Sequence, residues 1–223
     1  MPKIKNKRYL KHFKKRQIEL ITPKEFYENW RKIKAKPHLQ NLLKDFFLLL
    51  FWTGRRPIEI LNLKGEDFRR TQSKEDNGMY RDYFLIDTHT KKGGNDVEIM
   101  LVFEQIPELE HLYTRIQGCP PEFRYFELLR TRGTDTLNWF TKAGEPRTKV
   151  YDAPSKKAWY WSNKYFGIPP YFFRHNRFST MVNEGGTYED VKIFKGAKTS
   201  SSVDPYISPN QKTLRRIGSG FKI

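Results

Sequence analysis

The segment that most constrains this chain is residues 39–52, whose second half, Phe46-Phe47-Leu48-Leu49-Leu50-Phe51-Trp52, is apolar on every face of a helix. A helix hydrophobic all round has to be enclosed by other elements or by lipid. The run stops at Thr53-Gly54, well short of the roughly 18 apolar residues a membrane span needs. It therefore predicts the buried central helix of a soluble domain, ended by a glycine cap. Thr22-Pro23-Lys24-Glu25 is a capping box with proline at the first helical position, followed by Phe26, Trp30 and Ile33 at helical spacing. Pro57 can open a short helix running to about Leu63. Further helices are predicted over 104–116, 123–130, 155–166, 172–183 and, from the Thr187 cap, to Phe194. Strands are predicted at 83–87 and 97–102, joined through Lys91-Lys92-Gly93-Gly94-Asn95-Asp96 as a hairpin with two lysines at its tip. Residues 131–154 show no clear pattern.

Charge narrows the partners. Lys and Arg number 42 against 25 Asp and Glu, a net +17, and that excess repels itself unless an anion offsets it. Aromatics at 15% argue for a folded domain instead of a disordered basic tail. Together they point to nucleic acid, bound through its phosphates. Residues 1–16 hold eight Lys or Arg and no acid, the composition of an arm that lies along a polyanion. A single cysteine, Cys119, excludes a disulfide scaffold and a cysteine-built zinc site, and His12, His38, His89 and His111 are too scattered for a metal centre. With no secretory leader in the N-terminal residues, the expected compartment is the cytoplasm, with no membrane partner.

Four landmarks then occur in order: an arginine after the buried helix, a lysine on a hairpin, an arginine starting a late helix and a tyrosine near the C-terminus. The stretch Leu48-Leu49-Leu50-Phe51-Trp52-Thr53-Gly54-Arg55-Arg56-Pro57-Ile58-Glu59-Ile60-Leu61-Asn62-Leu63 resembles the first box of the tyrosine recombinases, or phage integrases, T-G-x-R-x-x-E-x-x-x-L. Tyr171-Phe172-Phe173-Arg174-His175-Asn176-Arg177-Phe178-Ser179-Thr180 is similar to their second, H-x-L-R-H-x-F-x-T. Lys92 stands eight residues before Met100, as the family's hairpin lysine precedes the second strand's proline. Tyr206 follows Gly196 by ten residues, as the family's nucleophile follows the glycine of its last box. The resemblance spans residues 21–206. It departs at Tyr171, where most members have His, and at Ala197, where they have His or Trp. The pair Tyr171 and Arg174 is similar to the Y-x-x-R variant of integrases from archaeal viruses and plasmids.

The resemblance implies an α+β, mostly α-helical fold with a small antiparallel sheet, divided into a basic N-terminal arm (1–20), a catalytic domain (21–206) and a C-terminal tail (207–223). It implies cleavage and rejoining of double-stranded DNA through a 3′-phosphotyrosyl link, without metal or other cofactor. Synapsed DNA would carry a homotetramer, and the free protein would be a monomer or weak oligomer near the host nucleoid. Arg56 and Arg174 would hold the phosphate, with Glu59 supporting Arg56. Tyr206 would attack, Lys92 would protonate the leaving 5′ oxygen with Lys91 equally available, and Tyr171 would hydrogen-bond the phosphate. His175 reads better as a structural residue. The residue types suit the chemistry on their own terms: a phosphodiester attacked in line gathers charge that planar guanidiniums stabilise. Two other readings use the same residues, a type IB topoisomerase-like nicking and closing enzyme, and a DNA-binding protein that has lost efficient cleavage, as Ala197 would allow.

Overall fold

Thr22 accepts a hydrogen bond from the Glu25 N–H while the Glu25 carboxylate takes the Thr22 N–H, so the first helix, α1 (Pro23–Arg31), starts where the capping box predicts. The computed structural model describes residues 20–76, 78–89, 95–140, 146–154, 156–198 and 203. The N-terminal arm, the C-terminal tail, Lys91, Lys92 and Tyr206 lie outside the described residues. The central helix, α2 (Pro37–Thr53), buries every residue from Phe46 to Phe51. Around it stand α1, α3 (Pro57–Asn62), α5 (Lys156–Phe166) and α6 (Phe172–Asn183). Phe26 stacks on Phe51 at 4.1 Å between ring centroids and on Phe166 at 5.5 Å, and Phe173 meets Phe47 and Phe166. The one acid in the helix, Asp45, is buried but satisfied: Arg115 Nε and Tyr125 Oη donate to it at 3.0 and 2.7 Å. Those bonds tie α2 to α4 (Glu108–Gln117) and the loop beyond it.

A three-stranded antiparallel sheet in the order β1 (Phe68–Lys74), β2 (Tyr80–Thr88), β3 (Val97–Val102) packs Phe84 edge-on to Phe103 and Tyr113. The hairpin of β2 and β3 is the expected one, with Thr88 opposite Val97. The chain thus has the mostly helical α+β architecture with a small antiparallel sheet that the resemblance implies.

Three local expectations change. β1 was not expected, because only Phe68 in it is buried and its other residues are polar; cross-strand ion pairs hold it, Arg69 with Asp87 at 2.8 Å and Arg70 with Asp82. The helix predicted over 123–130 is a turn and a short 3₁₀ segment (Glu127–Leu129), since Arg124 bridges to Lys64 and Phe123 accepts from the Gly65 N–H. The described residues of the unpatterned stretch 131–154 form a second, two-stranded sheet, β4 (Arg130–Phe140) with β5 (Pro146–Pro154), and β5 packs on α3 and α5. In addition α4 begins at Glu108 and not 104, because a 3₁₀ turn and Pro107 occupy the approach. Among the described residues no helix is long and apolar enough to cross a membrane.

Candidate active site

The site is built on the turn that ends α2. Thr53 Oγ1 donates to the Leu49 carbonyl at 2.6 Å and accepts from the Arg55 N–H at 3.2 Å, closing the last helical turn. Gly54 then takes a left-handed backbone, φ 59°, which releases the chain from the helix. A Cβ on Gly54 would lie 2.9 Å from the Cβ of Arg177 on α6, a group that cannot swing aside. Gly54→Ala is therefore expected to destabilise the fold by more than the about 1–2 kcal/mol of the left-handed backbone alone, read as a lowered midpoint in thermal unfolding.

After the turn the backbone is extended, so the side chains of Arg55 and Arg56 diverge. Arg56 caps α3, ahead of Pro57, and Glu59 sits three residues into the box. The buried Glu59 carboxylate accepts the Arg56 backbone N–H at 2.9 Å and its guanidinium at 2.6 Å. Arg56 Nε donates to Tyr171 Oη at 3.2 Å. Half-burial works against the charge on Arg56, yet the Glu59 carboxylate and the Tyr171 hydroxyl outweigh it and hold the guanidinium above its ordinary range. Arg174, in the first turn of α6, is only 3% exposed. A cation there opposes the helix dipole. It is held instead by tertiary contacts: it donates to the Gly54 carbonyl at 3.0 Å, lies 3.8 Å from Glu59 and rests over the Phe178 ring. Arg56 and Arg174 thus share one carboxylate, and the trio keeps a net positive charge. Arg56 (23% exposed side chain) and Tyr171 (49%) form the open side; Glu59 and Arg174 form the floor.

A third cation comes from α7 (Tyr188–Lys195), which ends at Gly196 with φ 66°. Lys195 is 9% exposed, and burial together with the charges of Arg174 and Arg56 pulls its ammonium down to about 8. Arg55, fully buried, donates to the carbonyls of Phe194 and Lys195 and so pins this last turn. The Gly196 carbonyl accepts the Asn95 N–H at 3.0 Å, docking the neck of the β2–β3 hairpin against the same turn. Neither Arg55 nor Lys195 was singled out from sequence: a lysine in a last helical turn ordinarily serves the dipole, and consecutive arginines carry no sign of which one turns inward.

The structure therefore brings Arg56, Tyr171 and Arg174 together. Lys92 lies outside the described residues, between His89 and Asn95 of that neck. Tyr206 also lies outside them, three residues past Val203, which is buried against Phe178, Val182 and Val191. Ala197 ends the α7 turn with a methyl that donates nothing. His175 is half-buried beside Phe172, and burial lowers its pKa. Among the described residues no group of three or more His, Cys, Asp or Glu is arranged to hold a metal ion.

The helices surrounding α2 and the three-stranded sheet match the catalytic-domain fold of the tyrosine recombinases. Solved structures similar to the chain are the XerH site-specific recombinase bound to its difH substrate in a pre-cleavage complex (TM-score 0.56, 16% identity, 88% of this chain and 51% of that one), the XerA recombinase (0.54, 12%, 91% and 63%) and the Tn1549 transposon integrase with transposon right-end DNA (0.51, 13%, 90% and 64%). The chain spans between 51% and 64% of the length of these proteins. No protein-family model and no curated protein matches its sequence.

Proposed function

We propose that the chain is a site-specific DNA strand transferase that cleaves and rejoins duplex DNA to integrate or excise a mobile element. The observation that carries this reading is the pairing of Arg56 and Arg174 on the buried Glu59, with Tyr171 on the open edge. Two guanidiniums fixed by one carboxylate are preorganised for an oxyanion that gathers charge, and they need no rearrangement when it does.

In the proposed step the Tyr206 phenol gives its proton to solvent water as its oxygen bonds to phosphorus. The bond from phosphorus to the 5′ oxygen breaks, and Lys92, or Lys91 beside it, returns a proton to that leaving oxygen. A 3′-phosphotyrosyl ester remains, and attack by a 5′ hydroxyl reverses the sequence on the same or another strand. The ester conserves the bond energy, so neither ATP nor metal is required. Two distances in the chain support the assignment. Asn95, at the foot of the lysine-bearing hairpin, bonds Gly196 beside the arginines. Val203 packs on Phe178, the ring beneath Arg174, and three residues of chain reach at most about 11 Å from there to Tyr206. The XerH structure is bound to its difH substrate and the Tn1549 integrase structure to transposon right-end DNA, and the shared fold supports DNA as the partner here. Tyr171 and Arg174 in the order Y-x-x-R favour a virus or plasmid element. The basic arm would track phosphates, and a homotetramer would assemble on synapsed sites.

Ala197 favours a second reading, a DNA-binding protein that no longer cleaves. Covalent trapping separates the two. The chain is incubated with nicked duplexes tiled across its own element's ends and resolved on a denaturing gel beside Tyr206→Phe. An adduct present in the wild type and lost in the variant is expected; salt-sensitive binding with no adduct would establish the binder.

A further inference from the structure

The last carbonyls of a helix have no partner within it and ordinarily turn to water. At the end of α7 each carbonyl from residue 192 to 196 accepts a hydrogen bond. The Ala197 N–H donates to Lys192 and the Gly196 N–H to Ile193, both at 2.9 Å, as the left-handed glycine allows. The next two are met by a side chain from far along the chain: Arg55 Nη2 donates to the Phe194 carbonyl and Nη1 to the Lys195 carbonyl at 3.2 Å. The Gly196 carbonyl then accepts the Asn95 N–H at 3.0 Å. Arg55 reaches this turn from the position beside Arg56, and its side chain is fully buried. The guanidinium fork suits two adjacent carbonyls, and enclosure keeps water from competing for them. Three segments are thereby joined in series: the turn that carries Arg56, the end of α7 and, through Asn95, the neck of the β2–β3 hairpin. Since α7 also packs on β3, the fold brings the hairpin near, and the Arg55 bonds set its exact place.

We propose that Arg55 is a positioning residue for proton transfer: it fixes the end of α7 to the Arg56 turn and so, through Asn95, sets the hairpin lysine, Lys92 or Lys91, where it can protonate the leaving 5′ oxygen. The assignment rests on the strand-transferase reading. In this role Arg55 acts through backbone carbonyls and touches no reacting atom. The size of the effect follows from geometry, since displacing a catalytic group by about 1 Å costs on the order of 100-fold in rate.

The test uses the full chain with nicked duplexes whose scissile phosphate carries either the natural 5′ oxygen or a sulfur in its place. The oxygen leaves with the proton that lysine gives it, whereas the sulfur, with a thiol pKa of about 8.5, leaves as the thiolate and needs none. At saturating DNA, Arg55→Met is expected to form adduct about 100-fold more slowly than wild type on oxygen but within about 10-fold of it on sulfur, with the half-saturating DNA concentration little changed. Arg55→Lys, which can hold one carbonyl, is expected to recover part of the oxygen rate. Asn95→Pro removes the N–H that Gly196 accepts and leaves Arg55 in place; it is expected to show the same loss rescued by sulfur, and it carries the test if Arg55→Met does not fold. An unchanged oxygen rate in either folded variant, an equal deficit on oxygen and sulfur, or adduct from the wild type on sulfur alone would overturn the assignment while leaving the strand-transferase reading intact. No adduct from wild type on either duplex would remove that reading, and this assignment with it.

Discussion

Glu59→Ala is expected to lower the unfolding free energy by about 3–5 kcal/mol, the cost of removing one partner from a buried ion pair. The carboxylate is fully enclosed and meets three groups, the Arg56 N–H, the Arg56 guanidinium and, at 3.8 Å, Arg174. Arg56 can turn toward water once released, since part of its side chain is exposed. Arg174 cannot, because it is almost wholly buried, held to the Gly54 carbonyl and over the Phe178 ring. Its charge therefore stays inside the protein without the Glu59 carboxylate. Glu59→Gln keeps an acceptor for the Arg56 N–H and is expected to lose less. Urea unfolding of both variants measures the difference; a Glu59→Ala loss below about 1 kcal/mol, the worth of an exposed pair, would mean the cluster is far wetter than its burial indicates.

Arg174→Lys is expected to cut covalent adduct formation about 100- to 1,000-fold, the effect of losing one preorganised donor to a developing oxyanion. The charge survives this substitution, so bulk attraction to DNA should change little. What is lost is the planar fork, which holds the Gly54 carbonyl while lying over Phe178 and facing Glu59; an ammonium has no such geometry. DNA affinity within a few-fold of wild type, beside a collapsed cleavage rate, is the pattern to look for in parallel binding and trapping experiments. Equal cleavage by the lysine variant would show that charge alone suffices at this position.

Local features of the fold were legible in the linear chain. The Thr22 to Glu25 box, the apolar all-round helix, the Thr53-Gly54 stop and the lysine-bearing hairpin each depend on residues a few positions apart, so propensity and periodicity carry them. β1 was not legible, because an edge strand held by ion pairs shows no alternation of buried side chains. The 123–130 segment misled because Phe126 and Leu129 have helical spacing, while a long-range bridge from Lys64 sets the backbone.

The order of the boxes put Arg56, Tyr171 and Arg174 forward as one site, and the type of each residue suggested what it could do. Which groups hold them in place came from elsewhere in the chain. Tyr171 bonds a residue 115 positions away, Arg174 a carbonyl 120 away and Arg55 a carbonyl 140 away. A guanidinium has several donors and a long stem, so sequence alone leaves open whether it faces water, a carboxylate or a helix end. Packing of α6 and α7 against the turn after α2 decides that, and it sends Arg56 to the open edge, Arg55 into the interior and Lys195 in among the cations. Local chain chemistry determined the elements and the candidate residues; only the meeting of α6 with the turn after α2, which encloses Glu59 and Arg174 together, determined which charges share one site, because burial and its cost exist only once those segments have met.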